Sequence, residues 1–283
     1  MPPAVMWVDG LIQGCICMTM AFGMLLVFSI LGILNWTHGQ FYMLGAFVVH
    51  YGVTAAGIPF PISILITGLL IAGLGILVKK GIIDRVKGDL YVGVVTISLI
   101  FFFEGAASML FGMQDKGLAI VLPGILNLGS FSVSYQKIAV VIFTLVVMIA
   151  MYIVLNLTKV GLAIRATAQQ PQAASLYGVS VERLSLIVMG IGCGLAAMAG
   201  SIMAPVYPIN PFMGRIPMIM ALLAIVIGGL GSLTGAIVGG LILGFLNSVI
   251  AYYLSRFSEV VLFLVVIIIL LVRPQGLFGA SLK

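Results

Sequence analysis

Long apolar runs, separated by short clusters of polar residues, make up most of the chain. A charged side chain costs about 2.5–3.5 kcal/mol at the centre of a bilayer, so charges are expected at the ends of membrane spans. No charged residue lies between Asp9 and Lys79, which leaves room for three spans divided by polar breaks at 35–39 and 57–59. Applied to the whole chain, the pattern predicts nine helices, near 10–34, 40–57, 60–78, 90–113, 137–159, 185–206, 216–230, 234–254 and 257–272.

The composition agrees with a membrane protein. Of 283 residues, 63% are hydrophobic and 7% are charged, whereas about 25% are charged in a soluble domain. A soluble protein with a single core is therefore excluded. We predict an all-α, polytopic transmembrane bundle that forms one domain over residues 1–283, with about eight to ten spans. The count stays open because 35–39 and 216–236 could be re-entrant segments.

The positive charges predict the orientation of the chain. The net charge is +6, but so few cations over so long a chain do not form a nucleic-acid-binding face. Cytoplasmic loops are enriched in Lys and Arg. An outside N-terminus and a cytoplasmic C-terminus put nine cations inside, namely Lys79, Lys80, Arg85, Lys87, Lys159, Arg165, Arg183, Arg273 and Lys283. Four fall outside, namely Lys116, Lys137, Arg215 and Arg256.

The loop at 158–184 is long for a connection between bundle helices, which usually takes about 2–8 residues. Its sequence predicts one helix over 163–169 and a second from Pro171 to Tyr177, with Gly178 at a position that favours left-handed backbone. Such a helical element on the cytoplasmic face could dock another protein, and Arg165 offers a charge. The alternative is a simple linker between spans.

Glycines at four-residue spacing predict close contacts between helices. The pairs are Gly190 with Gly194, Gly235 with Gly239, and Gly240 with Gly244. In lipid, such small residues let helix backbones approach closely. The contacts could lie within one chain or between subunits, and we expect the former.

Polar residues inside the predicted spans are candidates for a functional site. Glu104 lies near mid-membrane, and an intramembrane carboxylate faces a cavity or a partner by default. Ser108, one turn on, could share its face. A purely structural Glu104 is equally compatible with the sequence. His38 and Asn35 lie at a helix break, where they could satisfy backbone groups; a proton relay through His38 is the less favoured alternative.

Motifs for chemistry are missing from the sequence. No Ser-His-Asp, H-E-x-x-H or Cys-His arrangement is visible, and Cys15, Cys17 and Cys193 lie in apolar segments as small hydrophobic residues. The glycine-rich run 228–235 lacks the Lys of a phosphate-binding loop. We therefore expect no catalytic residue, no metal and no cofactor, and any ATP must bind to another polypeptide.

Four motifs, in order along the chain, resemble those of the permease subunits of branched-chain amino acid ABC importers and, more broadly, of ribose-type permeases. They are Leu34-Asn35-Trp36-Thr37-His38-Gly39 with Met43, Gly45 and Ala46; Gly161 to Gln169 with Ala174 and Gly178; Gly228-Gly229-Leu230-Gly231-Ser232 with Gly235 and Ala236; and Arg273-Pro274-Gln275-Gly276-Leu277-Phe278-Gly279. The resemblance extends from Leu11 to Gly279. Two positions depart from the family's pattern: Gln170 stands where Asp or Asn is usual, and Thr234 where Pro is common.

The resemblance implies the protein's partners and mechanism. It implies a second, related permease that completes the path, two ATP-binding cassette ATPase subunits, and a soluble substrate-binding protein outside a bacterial inner membrane. The residues implied in coupling to the ATPase are Gly161, Arg165, Ala166, Ala168, Gln169, Gln170, Ala174 and Gly178. The candidate translocation path comprises Asn35, His38, Glu104 and Ser108.

The expected cargo is a branched-chain amino acid. Related permeases carry urea, short-chain amides, or aromatic and dicarboxylic acids, so these remain alternatives. A rival class is an ion-coupled carrier or channel. Such a carrier would normally show paired intramembrane charges or an inverted repeat. The sequence shows one mid-membrane carboxylate and no convincing repeat.

Overall fold

The computed structural model describes residues 4–119, 121–127 and 132–279 and is built almost entirely of helices. The helices are α1 (Ala4–Leu31), α2 (His38–Thr54), α3 (Phe60–Gly81), α4 (Asp89–Phe111), α5 (Tyr135–Leu157), α6 (Lys159–Gln169), α7 (Pro171–Leu176), α8 (Val181–Met203), α9 (Arg215–Gly228), α10 (Leu233–Tyr253) and α11 (Ser258–Val272). Single 3-10 turns precede α4 and α11, at Ile83–Arg85 and Ser255–Phe257.

Each of the nine predicted spans overlaps one apolar helix, which confirms the polytopic bundle. Within the described residues, seven segments are long and apolar enough to cross a membrane. The other two, α2 with 17 residues and α9 with 14, are shorter. At 1.5 Å per residue α9 is about 21 Å long, which is less than a hydrocarbon core of about 30 Å. Irregular segments at 32–37 and 204–214 lead into these two helices.

The loop predicted between the fourth and fifth spans contains a small antiparallel hairpin. Its strands are β1 (Ile125–Asn127) and β2 (Ser132–Ser134), with Ile125 opposite Ser134. Residues 128–131, between the two strands, lie outside the described residues. An isolated bridge between Lys116 and Ile209 joins this loop to the segment that leads into α9.

The glycine pairs make the close contacts that their spacing predicted, and they make them within the chain. Gly240 and Gly244 of α10 lie against the backbone of α1 at Met18 and Gly14. Gly190 and Gly194 of α8 face α3, where Gly68 lies opposite Gly194. Gly235 and Gly239 hold α10 against α9. Helix backbones therefore touch at several points. This is expected in lipid, where helices associate through close packing and not through the hydrophobic effect.

The contacts reveal an internal repeat that the sequence does not show. The set α1–α4 and the set α8–α11 have equivalent arrangements, since α1 packs on α10 as α8 packs on α3. Likewise α2 lies against α8 as α9 lies against α1. Gly39 and Gly214, just at the start of α2 and just before α9, contact each other directly. The sequence alone showed no convincing repeat, and the contacts between the helices reveal one.

Two ion pairs tie helix ends together. Lys79, one of the cations predicted on the cytoplasmic side, is buried and donates to Asp84 at 2.6 Å. Lys137 at the start of α5 pairs with Asp9 of α1 at 2.5 Å. The cluster at 79–87 therefore presents Lys80, Arg85 and Lys87 as its exposed cations.

Candidate functional site

Glu104, near the middle of α4, is held in a bidentate ion pair. Arg215 donates from Nε to Oε1 at 2.7 Å and from Nη2 to Oε2 at 2.6 Å. Gln40 of α2 donates from Nε2 to the same Oε1 at 3.3 Å. The sequence left open whether Glu104 faces a cavity or a partner, and it placed Arg215 at the outer end of a span. The structure supplies the partner, because the first residue of α9 reaches α4.

The two charged side chains of this pair differ in exposure. The side chain of Glu104 is 5% exposed and that of Arg215 is 52% exposed. The guanidinium also lies over the ring of Phe212, 4.7 Å from its centroid. A cation inside a bundle costs least when it faces a partner or a water-filled path. Gln40 and Glu104 are buried, and Arg215 is the exposed member of this set; we call the three residues the polar groove.

The starts of α2 and α9 build the groove together. Gly39 and Gly214 let the two backbones touch, since a Cβ on either would collide with the other's carbonyl oxygen. Gln40 and Arg215 each follow that glycine directly, and both donate to Glu104. The groove is therefore formed where the two halves of the repeat meet.

The other predicted path residues have different surroundings. Asn35 is buried and its Oδ1 accepts from the backbone N–H of Thr37 at 3.1 Å, which is the structural role we expected at the helix break. His38 is fully buried beside Gly23 of α1, and neither ring nitrogen has a hydrogen-bond partner among the described residues. Ser108 donates to the backbone oxygen of Glu104 at 2.7 Å, not to its carboxylate. Only Glu104 of the predicted four lies in the groove.

A cavity of about 340 Å³ lies against the first half of α9. Its wall includes Gln13, Ile16, Cys17, Tyr42, Tyr207, Pro208, Met213, Ile216, Pro217, Met220, Gly244 and Asn247. Most of these are apolar, and Asn247 donates to Gln13 at 2.5 Å. Burial, with the nearby charge of Asp9, raises the pKa of Tyr207, so its hydroxyl stays protonated at neutral pH. The cavity thus offers an apolar space with a few polar groups.

The loop at 158–184 forms two short helices, as predicted. Thr158 caps α6 by accepting from the N–H of Gly161 at 3.1 Å, and Gly178 has a φ of +85° after α7. Of the predicted coupling residues, the exposed ones are Ala166, Ala168, Gln169, Gln170 and Gly178, and the buried ones are Gly161 and Ala174. Arg165 donates from Nη1 to Asn156 at 2.5 Å, so part of its guanidinium is used within the chain.

Two apolar side chains at the end of α7 were missed by our sequence analysis. Leu176 is 88% exposed and Tyr177 is 91% exposed. They stand next to each other on the loop outside the membrane-spanning helices, where they form an exposed apolar pair. Two large apolar residues at the end of a polar, Ala-rich helix were the sequence signal from which this exposed pair could have been predicted.

The third and fourth motifs meet in space, which the sequence did not predict. The N–H of Leu277 donates to the oxygen of Ile227 at 2.7 Å, and that of Phe278 to the oxygen of Gly228 at 3.0 Å. Gly276 and Gly229 pack against each other with φ values of +75° and +103°. A side chain at either position would be both strained and in collision. The C-terminal segment therefore fixes the end of α9.

Comparison with known proteins decides the family. The family model described as "Branched-chain amino acid transport system / permease component" matches residues 6–272. The chain belongs to this family. It is 31% identical over 292 residues to the high-affinity branched-chain amino acid transport system permease protein LivH of Escherichia coli K12, covering 96% of this chain and 94% of LivH.

Further relatives extend this result. The corresponding permease BraD of Pseudomonas aeruginosa is 29% identical over 96% of this chain and 94% of its own. The ribose import permease RbsC of Escherichia coli K12 is 33% identical over 44% of this chain and 42% of its own. A solved structure, "PsaBC from Streptococcus pneumoniae in complex with Fab", shares the fold with a TM-score of 0.52 at 15% identity, over 93% of this chain and 89% of that one. The protein is thus a multi-pass membrane permease of this family.

Proposed function

We propose that the protein is the permease subunit of an ATP-driven importer that carries branched-chain amino acids across a bacterial inner membrane. The observation that carries this proposal is the family match over residues 6–272, together with relatives named as branched-chain amino acid permeases. A second permease, two ATPase subunits and an external binding protein complete the importer.

The polar groove and the adjoining cavity form this subunit's part of the path. Polar and charged residues are expensive inside a membrane and mark pathways there. Glu104, Gln40 and the half-exposed Arg215 meet this description, and the apolar cavity beside them suits an aliphatic side chain. Asn35 and His38, which are both buried, stabilise the start of α2 on its buried side.

The helices α6 and α7 couple the permease to an ATPase subunit. The N-terminus then lies outside and the C-terminus in the cytoplasm, with α6 and α7 on the cytoplasmic side. The exposed side chains of Leu176 and Tyr177 supply apolar contact area for the ATPase, and the small exposed residues Ala166 and Ala168 allow its close approach. ATP hydrolysis by the partner subunits can drive a movement of the permease only if the contacts of α6 and α7 with the ATPase differ between two conformational states.

An ion-coupled carrier is the second candidate function. We expected paired intramembrane charges or an inverted repeat from such a carrier, and the structure has both the Glu104–Arg215 pair and the repeat. The family and its named relatives favour the importer. The two functions differ in energy source, which can be measured.

The decisive experiment is uptake of labelled leucine into proteoliposomes that hold the purified permease with its partner subunits. Leucine loaded on the cognate binding protein should accumulate only when ATP reaches the ATPase side. Uptake driven by a proton or sodium gradient without ATP would instead establish a carrier. Labelled urea, acetamide and an aromatic acid, tested in parallel, distinguish the alternative cargoes.

A double variant tests the coupling surface. Leu176→Ser with Tyr177→Ser should leave the permease folded but release the ATPase during purification and abolish uptake. Leu254→Ser, at an exposed apolar residue of the opposite end, is the matched control. Arg165→Glu with Ala168→Trp should uncouple hydrolysis from uptake in the same assay. Normal uptake in both double variants would remove α6 and α7 from the coupling role.

A further inference from the structure

One edge of the Arg215 guanidinium has no partner among the residues that the structure describes. A guanidinium carries five N–H donors in a planar fork. Nε and one N–H of Nη2 bond to Glu104. Among the described residues nothing accepts from Nη1 or from the second hydrogen of Nη2. These three N–H groups point away from the ion pair. They belong to the exposed part of the Arg215 side chain, which is 52% exposed overall.

The free edge lies beside the interior of α4 and not at its end. Glu104 stands seven residues before the end of α4 at Phe111, which is about 10 Å along the helix. In hydrocarbon, unsatisfied donors cost several kcal/mol each, so donors at this depth face an aqueous path or an acceptor. An acceptor is therefore expected at the free edge when the path is occupied.

The geometry of that edge suits a carboxylate. Arg binds carboxylates with two parallel hydrogen bonds, and the end formed by Nη1 and Nη2 is free for such a pair. Glu104 and Gln40 hold the guanidinium in place, which lowers the ordering cost of binding. Glu104 also neutralises the cation, so an anion is held weakly enough to leave again. Phe212 and Ile216, both exposed beside Arg215, offer apolar contact for the rest of the ligand.

We propose that the free edge of Arg215 binds the carboxylate of the cargo, so that this subunit's path favours amino acids or carboxylic acids over urea and neutral amides. This inference rests on the proposed function, since it assigns Arg215 a role in the importer's path. It adds a specificity-determining residue and selects among the cargo classes that the family leaves open.

Protection from arginine modification tests the proposal on the unaltered protein. Phenylglyoxal reacts with accessible guanidinium groups, and peptide mass spectrometry gives the rate at each arginine. In phosphatidylcholine nanodiscs of the whole complex, L-leucine and 4-methylpentanoate should slow modification of Arg215 by at least about threefold, because both carry a carboxylate. Leucinol, which lacks the carboxylate, and urea should not. Arg256, exposed in the turn before α11, should react at the same rate throughout.

Several results would overturn the proposal. They are equal protection by leucinol, no protection by leucine, and an Arg215 that fails to react without ligand because another subunit covers it. ATP-driven leucine uptake by the same preparation tests the proposed function independently, so uptake without protection refutes the carboxylate site alone. Arg215→Lys, which keeps the charge but loses the fork, should lower maximal uptake by about tenfold at an unchanged KM for the loaded binding protein. Arg256→Lys should leave both unchanged.

Discussion

The two short helices α2 and α9 occupy equivalent places in the repeat but are packed very differently. In α2, ten of 17 residues are buried, and Phe41, Met43 and Phe47 are among the largest fully buried side chains. In α9, six of 14 residues are buried, while Ile216 is 58% exposed. The two halves of the repeat therefore share one arrangement of helices, but a larger fraction of residues is buried in α2 than in α9.

The contacts of the two helices differ in the same way. The backbone of α2 lies directly on α8, where Gly45 meets Ala197 and Gly200 meets Tyr42, and Ser201 donates to the oxygen of Gly45 at 3.1 Å. Between α9 and α1, Cys17 Sγ donates to the oxygen of Met220 at 3.3 Å, and the cavity of about 340 Å³ opens beside this contact. The C-terminal segment fixes the far end of α9, and the Gly39–Gly214 contact and the Arg215–Glu104 ion pair hold its start. We infer that α2 is the fixed support of the path and that α9, less tightly packed between its two held ends, is its movable wall.

A side chain forced between α2 and α8 should have the largest effect. In Gly45→Val the new atoms would collide with the backbone of Ala197, which cannot move without shifting a whole helix. We expect a loss of more than about 3 kcal/mol, enough to remove folded protein from fluorescence-detected gel filtration in detergent. Gly73→Val on the exposed face of α3 meets nothing within 4 Å and is the control. Normal folding of Gly45→Val would show that α2 is not fixed.

Removal of the charge on α9 should have an intermediate effect. Arg215→Leu leaves the buried Glu104 without its counterion, and the expected cost is about 2–3 kcal/mol, reduced from the usual range because Arg215 is half exposed. Gln40→Leu, at the equivalent place on α2, removes one neutral donor and should cost about 1.5 kcal/mol. Thermal unfolding in detergent measures both. Equal losses of unfolding free energy in the two variants would show that the ion pair stabilises the fold no more than the neutral hydrogen bond of Gln40 does.

A larger side chain on the exposed face of α9 should change stability least. Ile216→Trp extends into the cavity, so we expect a change within about 0.5 kcal/mol in unfolding. ATP-driven leucine uptake should nevertheless fall by about tenfold or more, because the indole occupies the path. Leu69→Trp, at a residue of α3 that is 76% exposed, should affect neither quantity. Unchanged uptake in Ile216→Trp would place the path elsewhere.

The helices could be predicted because charges and glycine breaks mark their ends, and Glu104 could be found because a lone carboxylate in an apolar run is conspicuous. Its partner could not, since Arg215 is 111 residues away and looked like a charge at a span end. The depth at which α9 begins depends on the segment 204–214 and on the contact between Gly39 and Gly214. The repeat was hidden because equivalent places hold unlike residues, such as Gln40 and Arg215, or Phe41 and Ile216.

Thiol accessibility compares the two helices most directly. In a background without Cys15, Cys17 and Cys193, single cysteines replace Ile216 on α9 and the fully buried Ala46 on α2. A membrane-impermeant maleimide is then applied to the whole complex, once without nucleotide and once trapped with ATP and vanadate. We expect the rate at position 216 to change between the two states by about tenfold or more, while position 46 stays unreactive in both. Equal rates at position 216, or a reactive position 46, would contradict a movable α9 beside a fixed α2.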